Sequence, residues 1–160
     1  MTFTLSDGIS TVSETVKLTV KDQYKKGTKK WSFNSEYGLF NSPAIDEDGT
    51  IYIFANQYLY ALKQDKTIKW YENLGSHNSN NTQSSAAVDK EGTVYYGKDK
   101  LYAIDSDGTI KWSFSPQTYH PTPFISRPAI SCTGTIYIAS YNENTLYAVN
   151  DSGDKVWDLE

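Results

Sequence analysis

A unit of about forty residues recurs along this chain, and a repeat of that period decides the architecture before any other feature is read. Its most legible part runs from Leu101 to Phe114, as Leu-Tyr-Ala-Ile-Asp-Ser-Asp-Gly-Thr-Ile-Lys-Trp-Ser-Phe. The same pattern returns as Leu59-Tyr60-Ala61-Leu62 through Ile68-Lys69-Trp70, and as Leu146-Tyr147-Ala148-Val149 through Val156-Trp157. In all three copies the alanine precedes the tryptophan by nine residues, and successive tryptophans from Trp31 onward lie 39, 42 and 45 residues apart. Trp31 sits in Gly27-Thr28-Lys29-Lys30-Trp31-Ser32-Phe33, which matches only the end of the unit.

Each full copy holds four short strand-like runs. In the first they are Ser42–Ile45, Thr50–Phe54, Tyr58–Leu62 and Thr67–Tyr71. The second has Ser85–Val88, Thr93–Tyr96, Leu101–Ile104 and Thr109–Phe114, and the third Arg127–Ile130, Thr135–Ala139, Thr145–Val149 and Asp154–Leu159. Runs one and two are joined by Asp46-Glu47-Asp48-Gly49, Asp89-Lys90-Glu91-Gly92 and Ser131-Cys132-Thr133-Gly134. Runs three and four are joined by Gln64-Asp65-Lys66, Ser106-Asp107-Gly108 and Asp151-Ser152-Gly153. A glycine closing a short Asp- or Ser-rich turn supplies the positive φ that tight hairpins need. Four antiparallel strands per repeat make a propeller blade, and no sustained 3.6-residue period points to helix. The aromatic share of 14%, with 13 Tyr, suits strands as well.

The first 22 residues are different. Thr2-Phe3-Thr4-Leu5, Ser6-Asp7-Gly8 and Thr15-Val16-Lys17-Leu18-Thr19-Val20 predict strand, turn and strand, with Val16, Leu18 and Val20 on one face. Two strands alone do not bury such a face stably. The segment resembles the last two strands of an immunoglobulin-like or cadherin-like bacterial surface domain, which implies the tail of such a domain at 1–22. A linker and the outer strand of a partial blade, carrying Trp31, are expected over 23–38.

Residues 42–70, 85–112 and 127–157 resemble the quinoprotein-type, PQQ-like β-propeller repeat. The resemblance implies an all-β chain: an N-terminal β-hairpin and an incomplete β-propeller of about three four-stranded blades at 39–73, 84–114 and 126–160. It further implies that Ala61 with Trp70, Ala103 with Trp112, and Ala148 with Trp157, together with Trp31, dock neighbouring blades. A flat indole buries a large area between stacked sheets, and alanine leaves room for it. Propellers close with roughly four to eight blades. Three therefore leave two apolar faces to be covered by the rest of a ring or by self-association.

Composition excludes several functions. A net charge of −4 and a pI near 5.2 are wrong for nucleic acid, whose phosphates call for a basic face. Cys132 is alone, so no internal disulfide and no thiolate metal cluster are available, and a small turn residue is its plain reading. No stretch approaches the ~20 apolar residues of a membrane helix, and residues 1–20 do not read as a signal peptide. The acidic turns Asp46–Gly49 and Asp105–Gly108 begin like calcium loops but lack the later bidentate glutamate, so hairpin turns are expected. Neither a Ser-His-Asp arrangement nor a Gly-rich phosphate loop stands out. The vicinal cysteine pair of many quinoprotein dehydrogenases is missing too. No catalytic, cofactor-binding or metal-binding residue is assigned, and no cofactor is expected.

Connection lengths mark one rim for function. Within and between blades, 54–57, 97–100, 139–144, 73–84 and 115–126 vary, whereas the other turns are short and alike. Function concentrates on variable loops held by a rigid scaffold. The two longest hold both histidines, and His77, Asn78, Asn80, Asn81, Gln117, Tyr119 and His120 are candidate ligand contacts, set against plain solvated loops. Two histidines fall short of the ligands a metal uses. The expected function is a non-catalytic scaffold or binding module of a larger bacterial cell-surface or periplasmic protein, with a protein or glycan partner. BamB-like assembly factors share these repeats and act by binding proteins. The alternatives are a fragment of a quinone-dependent dehydrogenase and a carbohydrate-binding module.

Overall fold

The computed structural model describes residues 2–6, 11–15, 28–33, 41–55, 57–75, 84–116, 124, 126–140 and 143–160. The chain divides into two compact units, Met1–Ser32 and Phe33–Glu160. In the first, β1 (Thr2–Ser6) pairs antiparallel with β2 (Thr11–Thr15), with Thr2 opposite Thr15 and Ser6 opposite Thr11. The second strand expected over 15–20 meets this hairpin at Thr15; residues 16–20, with Val16, Leu18 and Val20, lie outside the described residues. Residues 28–33, Trp31 among them, carry no strand.

The second unit holds three four-stranded antiparallel sheets among the described residues, and no helix. The first blade is β3 (Ala44–Ile45), β4 (Ile51–Ala55), β5 (Tyr58–Leu62) and β6 (Ile68–Asn73), paired in chain order. The second is β7 (Ala87–Val88), β8 (Val94–Gly97), β9 (Leu101–Ile104) and β10 (Ile110–Phe114). The third is β11 (Ala129–Ile130), β12 (Ile136–Ser140), β13 (Thr145–Val149) and β14 (Lys155–Leu159). These are propeller blades, and they do not close on themselves.

The hairpins form for local reasons that repeat from blade to blade. In the first turn of each blade the glycine N–H donates back three residues, from Gly49 to Asp46 O, Gly92 to Asp89 O and Gly134 to Ser131 O. All three glycines have φ between +80 and +83°, where a β-carbon is strained. The Asp46 carboxylate accepts from Thr50 N at 2.7 Å and from the Tyr52 hydroxyl at 2.9 Å. Asp89 does the same with Thr93 N and the Tyr95 hydroxyl, at 2.8 and 3.1 Å. The Asp46 and Asp89 carboxylates therefore brace their own hairpins.

Burial separates the middle blade from its flanks. All four residues of β8 are buried, Val94 and Tyr96 on one face and Tyr95 and Gly97 on the other. In β4 and β12 burial alternates, because each outer blade has a described neighbour on one side. Long apolar runs such as Thr50–Phe54 lead one to expect both faces covered, and here one face is only half-buried. Two cores result. One packs Tyr52, Phe54, Leu59 and Ala61 of the first blade on Val94, Tyr96 and Ile104 of the second. The other packs Tyr95, Leu101 and Ala103 on Phe124, Ile136, Ile138, Tyr147 and Val149.

Candidate functional site

Antiparallel order puts the β3–β4 and β5–β6 types of turn on one rim and the β4–β5 and β6–β7 types of connection on the other. The first rim is braced turn by turn. The nine-residue spacing of alanine and tryptophan becomes a cross-strand pair in each blade: Ala61 opposite Trp70, Ala103 opposite Trp112, Ala148 opposite Trp157. Beside each indole lies the tyrosine of the second strand, Tyr52, Tyr95 or Tyr137, at 5.7 to 5.9 Å between ring centres.

The tryptophans then reach into the next blade. Trp70 Nε1 donates to Ser106 O at 2.8 Å, and Trp112 Nε1 to Asp151 O at 2.7 Å. Each ring lies on the glycine two residues past that carbonyl. A β-carbon on Gly108 would come within 3.0 Å of the Trp70 ring, and one on Gly153 within 2.9 Å of Trp112. The glycines are needed twice over, for their positive φ and for this close approach. Trp157 has no such acceptor among the described residues and is 41% exposed. In the first blade the corresponding turn position is Lys66, a non-glycine residue at φ 72°.

The other rim carries the loops. Described residues there form a chain of contacts across all three blades: Asn41 Nδ2 donates to Tyr96 Oη at 3.1 Å and to Ser84 O, and Ser84 Oγ donates to Ser126 O at 2.9 Å. Lys98 is the deepest charge on this rim among the described residues. It is 5% exposed, and its ammonium donates to Leu74 O and Gly75 O, both at 2.6 Å. Burial pushes its pKa down, and nearby Asp99 pushes it partly back. The carbonyls it binds end the outer strand of the first blade, so Lys98 ties the exit of that blade to the second. Lys98→Met leaves both carbonyls without their donor and is expected to cost about 1–3 kcal/mol, measured by urea unfolding; an unchanged midpoint would show that the two bonds add nothing.

Of the residues singled out from sequence, the six alanines and tryptophans of the full repeats are brought together pairwise as above. His77, Asn78, Asn80, Asn81, Gln117, Tyr119 and His120 lie outside the described residues. Sequence reading passed over Asn41, Ser84, Ser126 and Lys98. Gly97-Lys98-Asp99-Lys100 looks like an ordinary solvated charge run, and nothing local marks Lys98 as buried. Between the second and third blades, described residues line two clefts. One, of about 620 Å³ on the turn rim, has Asp89, Lys111, Cys132 and Asp151 in its wall, and Cys132 is an exposed free thiol. The other, of about 720 Å³ on the loop rim, is lined by Phe114, Pro116, Glu143, Tyr147 and Asp158 among others. No group of three or more His, Cys, Asp or Glu is placed to hold a metal ion among the described residues. There is also no helix long and apolar enough to cross a membrane among them.

Among solved structures the fold is similar to BamB from Moraxella catarrhalis, with a TM-score of 0.62 and 16% identity over 82% of this chain and 38% of that one. A streptogramin B lyase matches with a TM-score of 0.60 and 14% identity, over 78% of this chain and 41% of that one. Virginiamycin B lyase from Staphylococcus aureus matches with 0.60 and 15%, over 79% and 42%. At such identities the likeness is one of fold, shared by an assembly factor and by enzymes. This chain spans about two fifths of those structures, between 38% and 42% of their lengths. No curated protein sequence matches it. Residues 14–160 match the family model described as outer membrane protein assembly factor BamB. That match covers nearly the whole chain, and the chain belongs to this family of PQQ-type repeat proteins.

Proposed function

We propose that the chain is a non-catalytic propeller segment that offers its loop rim to a protein partner, within a larger bacterial protein of the periplasm or cell surface. One observation carries this reading, the contrast between the two rims. On the turn rim, side chains are spent on bracing: Asp46 and Asp89 hold their own hairpins, and Trp70 and Trp112 lock blade to blade. The loop rim stands on that rigid base and varies in length, which suits recognition. Membership of an assembly-factor family supports a protein as the partner and the periplasm as the compartment. The hairpin β1–β2 is read as the end of a preceding immunoglobulin-like domain, and further blades or a second copy supply the rest of the ring.

Site-specific photo-crosslinking tests the choice of rim. A crosslinking residue at Asp99 or Asn144, on the loop rim, is expected to capture a protein partner that excess unlabelled chain displaces. The same residue at Asp107 or Ser152, on the turn rim, is expected to capture none. Equal capture from both rims, or none from either, would sink the reading.

A further inference from the structure

The third blade presents a face whose counterpart one blade earlier is buried. In the second blade Tyr95 is 4% exposed and Leu101 is fully buried, both packed against the third blade. Their equivalents Tyr137 and Leu146 are only half-buried, while Trp157 and Leu159 are exposed. The strand register sets this equivalence. Tyr95 and Tyr137 lie opposite Ala103 and Ala148, and Leu101 and Leu146 lie opposite Phe114 and Leu159. An apolar face of this kind marks an interaction surface. Two interfaces within the chain show what covers it: a blade with glycine closing its third turn, Gly108 under Trp70 and Gly153 under Trp112.

The first blade lacks that glycine. Lys66 N–H donates to Lys63 O just as Gly108 donates to Asp105 O and Gly153 to Asn150 O, so Lys66 holds the equivalent position. Its φ of 72° matches the turn, but its β-carbon stands where an indole would lie. A β-carbon at Gly108 or Gly153 would come within 3.0 or 2.9 Å of the ring, closer than packed carbon atoms approach. A second part of the same face is occupied from within the chain. Phe33 lies on Tyr60 with ring centres 5.5 Å apart and planes at 59°, and Phe114 lies on Tyr147 at 5.6 Å and 61°. Tyr60 and Tyr147 each precede the repeat alanine, and Phe33, Phe114 and Leu159 each stand two residues after a tryptophan. Phe33 therefore holds the place that Leu159 of an incoming third blade would take.

We propose that Lys66 and Phe33 close the first blade to the third blade of a second copy. The face around Trp157 takes instead a blade of the same repeat whose third turn closes on glycine, supplied by the remainder of a larger propeller. Continuity with the two interfaces above identifies that occupant, and this chain spans only about two fifths of the solved structures it resembles. The inference rests on the propeller-segment part of the proposed function and narrows it, by removing head-to-tail self-association as the way the ring is completed.

The test uses the 160-residue chain and reads its mass by sedimentation. Lys66→Gly combined with Phe33→Ala opens the first blade and makes it the probe for the Trp157 face. The opened variant is expected to associate head to tail at least tenfold more tightly than the unmodified chain. Adding Trp157→Ala is expected to abolish that gain. The triple variant mixed with unmodified chain is expected to form a complex, one partner bringing the glycine turn and the other the tryptophan. Lys66→Gly alone guards against a folding failure of the double variant, because glycine adopts this φ freely, and it is expected to show the same Trp157-dependent gain more weakly. The proposal is overturned if Trp157→Ala dissolves an oligomer of the unmodified chain. It is equally overturned if neither Lys66→Gly variant gains association, if the gain survives Trp157→Ala, or if the mixture stays apart. Should rim crosslinking capture nothing while the opened variant associates, the protein-partner reading fails and the blade selectivity stands; the reverse pattern removes the selectivity alone.

Discussion

Trp112→Ala is expected to lower the stability of the blades by about 3 kcal/mol, at the low end of the range for losing a packed tryptophan because the ring is half-buried. Trp157→Ala, in the same place on its own blade, is expected to cost about 1 kcal/mol or less. Both residues face an alanine and lie near a tyrosine, so composition and local pairing are the same. What differs is the next blade. Trp112 donates to Asp151 O and lies on Gly153, whereas Trp157 has no described acceptor and is 41% exposed. Removing Trp112 also uncouples the third blade from the second, and neighbour interfaces carry much of the stability of stacked repeats. Urea unfolding measures both variants, and the Trp112→Ala transition is expected to broaden as the third blade melts apart. Equal losses from the two variants would show that the interface adds nothing beyond the blade itself.

Alkali is expected to unfold the blades in one step as pH rises through about 10 to 12, the span over which buried phenols here differ from free ones. Among the described residues, five tyrosines have raised pKa values, burial being the largest cause in each. Hydrogen bonding to Asp46 adds to it at Tyr52, and the charge of Asp89 at Tyr95. Tyr102, beside Asp99, and Tyr147, bonded to Glu143, are each pushed up to about 12, and Tyr52, Tyr95 and Tyr96 lie higher still. A raised phenol pKa means that the folded state keeps a proton the unfolded chain gives up near pH 10. The stabilisation is therefore complete below that value and falls as pH rises, by up to about 1.4 kcal/mol per pH unit for each tyrosine. Lys98 works the other way, since burial lowers its pKa and deprotonation relieves that cost, but it is one group against five. Tyrosinate absorbance and the β-sheet circular dichroism should change together. Gradual ionisation of all 13 tyrosines with the sheet signal intact would overturn the expectation.

The Lys98 clamp shows where sequence reading stops. Lys98 looks like a charged residue of a short surface connection, and its chain neighbours do not distinguish it from Lys100 or Asp99. Its role depends on carbonyls of the preceding blade, more than twenty residues away in the chain. The N-terminal hairpin marks a different limit. The alternation of Val16, Leu18 and Val20 leads one to expect a strand from Thr15 onward, and the observed pairing uses Thr11–Thr15, where Val12 is the one apolar residue. Period-two patterns identify strands without specifying register.

By itself the sequence determined the repeat, the four strands of each blade and the turns closed by Gly49, Gly92 and Gly134. All of these depend on neighbours within one blade: side-chain alternation, the positive φ of a turn, and two strands joined by a hairpin. Only the tertiary structure decided what each blade meets. It set Trp70 on Gly108 and Trp112 on Gly153, left Trp157 uncovered, buried Lys98 against the first blade, and opened a cleft beside Glu143. Those outcomes turn on which surfaces stack. Similar blade sequences produce different contacts because each is completed by residues that belong to another blade.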